Sequence, residues 1–200
     1  METRSVRMGF SDELFPMGSH ICLVYRDEAE RRSIVSKYVE SGLLDHEQLY
    51  YFADTATPQE VISWMHQLDV DIAPAVSSGA CTVADAVETY CPGGAFEPDE
   101  MLERLKQTWA ASQEHHFAGC RVTGEMSWAL RNIPGTDRLI EYESRVNDVL
   151  QTHPLTAMCQ YNANSFSGEL IFQILEVHPY MVARGQLVRN PYYLRHGRDE

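Results

Sequence analysis

The stretch HICLVYRDEAERRSIVSKYVESGLLDHEQLYYFAD, residues 20–54, contains the pattern that decides the fold. It begins and ends with apolar runs of the strand type, at residues 20–25 and 48–54. Between them, residues 27–42 carry acids in the first turn, apolar residues at helical spacing and a closing glycine, which together predict a helix. A strand, a helix and a second strand in this order predict two parallel strands joined by a crossover helix.

The same alternation continues along the chain. Strands are predicted at residues 81–86, 120–126 and 155–162, and helices at residues 58–68, 71–77, 97–115, 136–150 and 167–176. Arg184-Gly185-Gln186 separates two short β-type runs and predicts a hairpin. The pattern therefore predicts an α/β fold: a single three-layer domain with a mainly parallel central sheet, helices on both faces and a C-terminal β-hairpin. We interpret residues 1–17 as an N-terminal extension, 18–195 as the domain and 196–200 as a tail.

Charge and cysteine content exclude several classes of protein. The 200 residues carry a formal net charge of −13, and such a surface repels phosphate backbones, so we expect no direct nucleic-acid partner. The five cysteines are odd in number and include no CxxC pair, which is typical of free thiols in a reducing compartment. No run approaches the roughly 20 apolar residues of a membrane span, and the N-terminus has no apolar signal core. We predict a cytoplasmic protein without a membrane partner.

The motifs of several common enzymes do not occur in the sequence. It contains no Gly-Lys dipeptide, so it lacks the GxxxxGK[ST] loop that cradles nucleotide phosphates. It also contains no GxGxxG, GxSxG or HExxH pattern. We therefore expect no cofactor, no catalytic residue and no ordinary ATPase activity.

Four stretches, in their order and spacing, resemble one known family. They are GSHICLVYRDEAERR at residues 18–32, the segment 49–90 that includes DVDIAPAVSSGACTVADAVETY, RVTGEMSWALR at residues 121–131, and TAMCQYN at residues 156–162 with the later HPY. Together they resemble the MEDS domain, the methanogen/methylotroph, DcmR sensory family, over essentially the whole chain. That family is held to derive from the KaiC branch of the RecA-like ATPases. Glu125 occupies the place near the Walker B acid, and Tyr25-Arg26-Asp27-Glu28 stands where a KaiC protein carries its phosphate loop.

The resemblance implies a RecA/KaiC-like sensory domain. It implies a small-molecule ligand, with hydrocarbon derivatives among the proposed ligands, and a non-catalytic role in transcriptional regulation or signal transduction through a regulatory protein partner. Two alternatives stay open at this point: a degenerate nucleotide-binding or hydrolytic domain, and an interaction subunit with a vestigial pocket. The sequence also leaves a homo-oligomer open.

The position of the predicted strands selects candidate ligand-binding residues. Ligands of open α/β sheets bind beyond the carboxyl ends of the strands. We therefore predict a pocket walled by three aromatic side chains with a carboxylate as its polar anchor, and we add a histidine and a cysteine of neighbouring strands as further candidates. These six residues are Tyr25, Glu125, Trp128, Tyr161, Cys159 and His20. A helix cap or a salt bridge is the alternative role for Glu125, and the apolar core is the alternative place for Trp128.

A metal site is the weaker of two interpretations of the histidines and cysteines. His20, Cys22, Cys159 and His178 are chemically suitable ligands for zinc or another borderline metal. His20 begins its strand, however, and is expected at the opposite edge of the sheet from Glu125. We therefore expect the set to be split between sheet edges, with hydrogen-bonded core histidines, buried thiols and substoichiometric metal.

Overall fold

The computed structural model describes residues 4–194, which form nine strands and seven α-helices. The strands are β1 (Ser5–Arg7), β2 (Leu14–Pro16), β3 (His20–Tyr25), β4 (Glu47–Ala53), β5 (Cys81–Asp85), β6 (Gly119–Glu125), β7 (Thr156–Asn162), β8 (Tyr180–Ala183) and β9 (Gln186–Arg189). The helices are α1 (Glu28–Leu44), α2 (Pro58–Gln67), α3 (Ala73–Ser78), α4 (Ala86–Tyr90), α5 (Pro98–Glu114), α6 (Leu139–Thr152) and α7 (Gly168–Val177). Two short 3-10 turns, Ser127–Leu130 and Thr136–Arg138, precede α6.

The central sheet has seven strands in the order β5-β4-β6-β7-β3-β8-β9. All neighbouring pairs are parallel except the last, in which β8 and β9 form an antiparallel hairpin. Arg184 and Gly185 have φ values of 52° and 71°, as expected for a two-residue turn that follows the twist of the strands. The predicted α/β class, the mainly parallel sheet and the C-terminal hairpin are thus confirmed.

Two apolar cores lie on the two faces of this sheet. One contains side chains of α4, α5, α6 and α7, with Trp128 and Tyr161 among them. The other contains side chains of α1 and α2, with Tyr25 among them. Because successive strand residues point to opposite faces, Cys22 belongs to the first core and its neighbour Leu23 to the second. The result is the predicted three-layer arrangement.

Helix starts follow the capping signals of the sequence. Thr57 and Glu60 form a reciprocal capping box at the start of α2, and Pro58 takes its first position. The side chain of Asp27 accepts a hydrogen bond from the backbone N–H of Glu30 at 2.8 Å and so caps α1. These local contacts explain why the bounds of the helices lie close to those predicted.

Two regions differ from the sequence-based expectations in their local structure. Residues 5–16 contain the β1–β2 hairpin, whose Val6 and Phe15 are buried against the α1 face of the sheet. Strands of three residues are too short to give a periodic signal, so this hairpin was missed. The short helix α4 was also missed. The division at residues 17 and 18 stays a prediction, and the predicted tail at 196–200 lies outside the described residues. Within residues 4–194, none of the helices has the length and apolar character that crossing a bilayer requires.

Candidate functional site

Glu125 ends β6 at the carboxyl edge of the sheet and is 1% exposed. Its carboxylate accepts hydrogen bonds from the Tyr51 hydroxyl at 2.7 Å and from Arg31 Nη1 at 3.1 Å. It also accepts from the backbone N–H of Asp54 at 3.1 Å, and from both the backbone N–H and the hydroxyl of Thr55 at 2.7 and 2.5 Å. A buried carboxylate needs such partners, and here donors of the protein itself supply them. The geometry therefore matches the salt-bridge alternative for Glu125.

Arg31 reaches this carboxylate from the first turn of α1 and is fully buried. Its Nη1 also donates to Gln160 Oε1 at 2.7 Å, and its guanidinium forms an ion pair with Glu28. The guanidinium carbon lies 5.5 Å from the centre of the Tyr25 ring and 5.8 Å from the centre of the Trp64 ring, within the range of cation–π attraction. The guanidinium of Arg31 is thus paired with side chains of the protein itself.

The predicted aromatic pocket residues do not share one pocket in the structure. Trp128 is fully buried on the α6 face and stacks on Tyr90 with ring centroids 4.7 Å apart. Tyr161 is also fully buried on that face, whereas Tyr25 lies on the opposite face beside Arg31. Tyr25 and Glu125 therefore share a contact with Arg31, whereas the rings of Trp128 and Tyr161 lie on the opposite face of the sheet from Tyr25. A ligand-binding role for them stays a prediction.

A groove opens near the carboxyl end of β3, between α7 and β8, with a volume of about 460 Å³. We call it the α7 groove. Its apolar walls include Val24, Ile171, Leu175 and Met181, and its charged lining residues are Arg26, Glu30 and Arg184. Like the predicted pocket, it lies at the carboxyl edge of the sheet, but the six predicted residues do not line it.

A second polar site lies between the sheet and the helices α6 and α7. It consists of His20 on β3, Cys159 on β7, Glu143 on α6 and His178 directly after α7. We call it the His–Glu–Cys cluster. All four residues are buried, and each offers one ligand atom within 4.8 Å of the other three. The expectation that the histidines and cysteines are split between sheet edges was wrong for His20, Cys159 and His178.

The helices explain this convergence. In a parallel α/β sheet the covering helices run against the strands, so a residue that follows a helix returns to the amino end of the sheet. His178 follows α7 in this way and packs against His20, with ring centroids 4.0 Å apart and the ring planes inclined by 39°. Cys22 does not belong to the cluster, because its thiol faces the backbone carbonyl of Tyr180 at 3.6 Å.

The atoms of the cluster meet around Glu143 Oε2. This oxygen lies 3.2 Å from His20 Nε2, 3.5 Å from His178 Nε2 and 3.6 Å from Cys159 Sγ. Cys159 Sγ lies 3.6 Å from His20 Nε2 as well. The other oxygen of Glu143 accepts a hydrogen bond from the Tyr161 hydroxyl at 2.5 Å, which fixes the orientation of the carboxylate.

Hydrogen bonds on the far side of each ring determine which imidazole nitrogen faces the cluster. His178 Nδ1 lies 2.7 Å from the carbonyl oxygen of Ile174, which can only accept, so Nδ1 carries the proton. Asn147 donates from Nδ2 to the carbonyl of Val177 at 2.8 Å, which turns its Oδ1 toward His20 Nδ1 at 3.2 Å. His20 Nδ1 is therefore a donor too. In the neutral rings, both Nε2 atoms present lone pairs to the cluster.

Burial and the neighbouring charges shift the pKa values of the cluster. Burial lowers the pKa of His178 to about 3, and the nearby His20 adds to this effect. Burial alone would raise the pKa of Glu143, but its contacts with His20, His178 and Tyr161 lower it overall. Burial and the charge of Glu143 raise the pKa of the Cys159 thiol. The cluster therefore combines a stabilised carboxylate with a neutral His178.

Glu143 was missed by the sequence analysis, although a signal for it exists. The residue lies four positions after Leu139 and three before Val146, on the stripe of α6 that packs into the core. An acid in an apolar stripe requires a partner. Its partners could not be named from helical spacing alone.

Comparison with known proteins identifies the family of this chain. The family model for the methanogen/methylotroph, DcmR sensory domain matches residues 19–179. The chain belongs to the MEDS family. It is also 23% identical over 160 residues to the transcriptional repressor DcmR of Methylorubrum extorquens (strain DSM 6343 / CIP 106787 / DM4), a match that covers 80% of this chain. The matched region spans only 57% of the length of that curated relative.

Solved structures of two archaeal proteins have the same fold as this MEDS domain. A KaiC-like protein of Pyrococcus horikoshii OT3 superposes with a TM-score of 0.65 at 15% identity, covering 90% of this chain and 79% of the other. The flagellar accessory protein FlaH of Methanocaldococcus jannaschii gives a TM-score of 0.60 at 14% identity, with coverages of 93% and 84%. At this level of identity the likeness establishes the RecA-like fold alone.

Proposed function

We propose that this chain is the sensing part of a regulatory system: it binds a small, largely apolar molecule without catalysis and passes that event to a protein partner. The observation that carries the proposal is the α7 groove, which lies where open α/β sheets bind ligands. Membership in a sensory family and the similarity to a transcriptional repressor support the regulatory setting.

The walls of the groove favour an apolar ligand body. Val24, Ile171, Leu175 and Met181 provide hydrocarbon and thioether surface in a groove of about 460 Å³, within the usual range of about 300–1,000 Å³ for small-molecule sites. Methionine fits irregular shapes because its side chain is unbranched and polarizable. A small hydrocarbon derivative is therefore the ligand class that we assign.

The charged residues favour a ligand with one polar end. Arg26 and Glu30 approach the groove from the start of α1, and Arg184 approaches from the turn between β8 and β9. A few polar groups among apolar walls orient a bound molecule and provide specificity. The polar end of the ligand is expected beside Arg26 and Arg184.

The groove lies between two elements, α7 and β8, whose spacing a bound ligand would set. Its walls come from α7 and from β8, and β8 continues into the edge hairpin with β9. A ligand shifts only those states that it binds with different affinity, so different spacings of α7 and β8 are the states that we assign to the signal. The net charge of −13 disfavours direct contact between this chain and DNA. We therefore assign any contact with DNA to the partner protein.

The alternative nucleotide-binding role lacks a cradle for phosphates. Only Arg26 and Asp27 connect β3 to α1, and the Asp27 side chain already caps the helix. Arg31, the buried cation of that helix, is engaged by Glu125 and Glu28. Phosphate loops instead direct several free backbone N–H groups at their ligand.

The test is a binding screen with the wild-type chain and two neighbouring variants of α7. Small alcohols, amines and halogenated hydrocarbons are screened by ligand-observed NMR, and dissociation constants are then measured by calorimetry. Ile171→Gln changes a wall of the groove, whereas Phe172→Gln changes the next residue, which is 61% exposed and does not line it. We expect Ile171→Gln to weaken binding by about 1–2 kcal/mol, or roughly 5- to 30-fold, and Phe172→Gln to leave it unchanged.

Three outcomes would contradict the proposal. Equal affinity of the wild type and Ile171→Gln would place the ligand elsewhere on the chain. Binding or turnover of ATP that is lost in Glu125→Gln would favour the degenerate nucleotide-binding domain. An absence of binding across the library, with a folded chain, would favour the interaction subunit with a vestigial pocket.

A further inference from the structure

We propose that the His–Glu–Cys cluster binds one zinc ion through His20 Nε2, Glu143 Oε2, Cys159 Sγ and His178 Nε2. The proposal does not depend on the α7 groove, and it reverses the expectation of substoichiometric metal that the sequence alone suggested. Two nitrogens, one oxygen and one sulfur are ligands that zinc accepts.

Four of the six distances between the ligand atoms match those of a tetrahedral site, and the other two do not exceed 4.8 Å. Zinc–nitrogen and zinc–oxygen bonds of about 2.05 Å and a zinc–sulfur bond of about 2.3 Å give tetrahedral edges of about 3.3 Å between N and O and about 3.6 Å to S. The edges from Glu143 Oε2 to His20 and His178 measure 3.2 and 3.5 Å. The edges from Cys159 Sγ to Glu143 and His20 both measure 3.6 Å.

The lone pairs of the cluster also favour a cation. Both rings donate from Nδ1 to Asn147 and Ile174, so their Nε2 lone pairs point at the carboxylate of Glu143. Among the described residues, His178 Nε2 has no hydrogen-bond donor or acceptor, although it is completely buried. A proton on His20 would relieve one of the two repulsions between a lone pair and the carboxylate. A metal ion at the centre relieves both.

The surroundings of the ligands resemble those of known metal sites. Metal-binding histidines usually donate their other ring N–H to a carbonyl or carboxylate, as His178 does to Ile174. The second oxygen of Glu143 is held by Tyr161. When Zn²⁺ binds, Cys159 releases its proton to solvent, and the two positive charges are balanced by one thiolate and one carboxylate. A neutral site is compatible with complete burial.

Four protein ligands leave no open coordination position, which is typical of structural rather than catalytic zinc. The ligands come from β3, α6, β7 and the residue after α7. The ion would therefore fasten α6 and the end of α7 to the middle of the sheet. Residues of α7 also line the α7 groove. In the metal-loaded chain, α7 should therefore keep one position beside the groove.

The experiment uses the full chain and has two readouts. Metal content is measured by elemental analysis after purification, and the chelator-treated chain is then titrated with Co²⁺, a spectroscopic probe for zinc sites. We expect one equivalent of bound metal, the intense visible bands of tetrahedral Co²⁺ and a near-ultraviolet charge-transfer band from thiolate to cobalt. A wild-type chain that shows neither metal nor these bands would overturn the proposal by itself.

Two cysteine variants identify the thiolate. Cys159→Ser should abolish the charge-transfer band and weaken metal binding by at least about tenfold. Cys22→Ser is the matched control, because Cys22 pairs with Cys159 in the neighbouring strand and is also buried, but its thiol donates to the carbonyl of Tyr180 and is not one of the four ligand atoms. A charge-transfer band that survives in Cys159→Ser, or is lost in Cys22→Ser, would refute the assignment. If Cys159→Ser does not fold, the wild-type titration still tests whether the chain binds a metal, and the Cys22→Ser spectrum still tests whether Cys22 supplies the thiolate.

Discussion

Removing the guanidinium of Arg31 should cost much more stability than removing that of the next residue, Arg32. Arg31 is fully buried and donates to Glu125, Gln160 and Tyr51. Arg31→Met keeps most of the side-chain volume but leaves the Glu125 carboxylate buried without its cation. Removing one partner of a buried ion pair typically costs about 3–5 kcal/mol.

The neighbouring arginine provides the control. The side chain of Arg32 is 39% exposed, and it pairs with Glu28, whose side chain is 46% exposed. Exposed ion pairs of this kind are worth about 0–1 kcal/mol. We therefore expect Arg31→Met to lower the free energy of unfolding by about 3–5 kcal/mol and Arg32→Met by no more than about 1 kcal/mol.

Urea unfolding, followed by tryptophan fluorescence and circular dichroism, measures both variants. For a chain of this length, about 1 kcal/mol corresponds to roughly 2–4 °C in Tm, so Arg31→Met should lose roughly 6–20 °C. Adding Glu125→Gln to Arg31→Met removes the uncompensated charge and should restore part of the loss. Equal losses for Arg31→Met and Arg32→Met, or additive losses in the double variant, would refute the reasoning.

Two further predictions concern the core and the backbone. Trp128→Ala should lower the free energy of unfolding by about 3–5 kcal/mol in denaturant titrations, because it empties a completely buried site that stacks on Tyr90, and a loss below 1 kcal/mol would contradict that placement. Gly135→Ala should destabilise the chain by about 1–3 kcal/mol or more, since Gly135 has φ +87° and an added Cβ would lie 2.1 Å from the carbonyl oxygen of Phe96. Gly168→Ala, at the start of α7 with open space around it, should be neutral or slightly stabilising, and similar melting curves for the two alanine variants would disprove this account.

The residues of the carboxyl edge show how far the candidate site could be predicted from sequence. The position of Glu125 at the carboxyl end of β6 was predicted correctly. Two things decide the face of the sheet on which each aromatic ring lies: the alternation of side-chain direction along its strand, and the register between neighbouring strands. Tyr25 and Tyr161 therefore lie in different cores, although both are near the ends of neighbouring strands. The sequence has no local signal for this register.

The sequence by itself determined the layers of the fold. Apolar runs such as HICLVY, helical spacing, and caps such as Thr57 and Asp27 act over a few residues, so they can be recognised without knowing the distant parts of the chain. The missing Gly-Lys loop and the family-like stretches are likewise properties of the linear chain.

Only the tertiary structure decided which buried polar groups meet. His20, Glu143, Cys159 and His178 are separated by up to most of the chain, and none has a partner at helical or strand spacing within the set. They converge because β7, β3 and β8 are neighbours and because α7 runs back to the amino end of the sheet. Burial then forces these groups to satisfy one another or a shared cation, since water is excluded from the interior. That requirement arises from the packing of distant segments, so no local pattern of the sequence could reveal it.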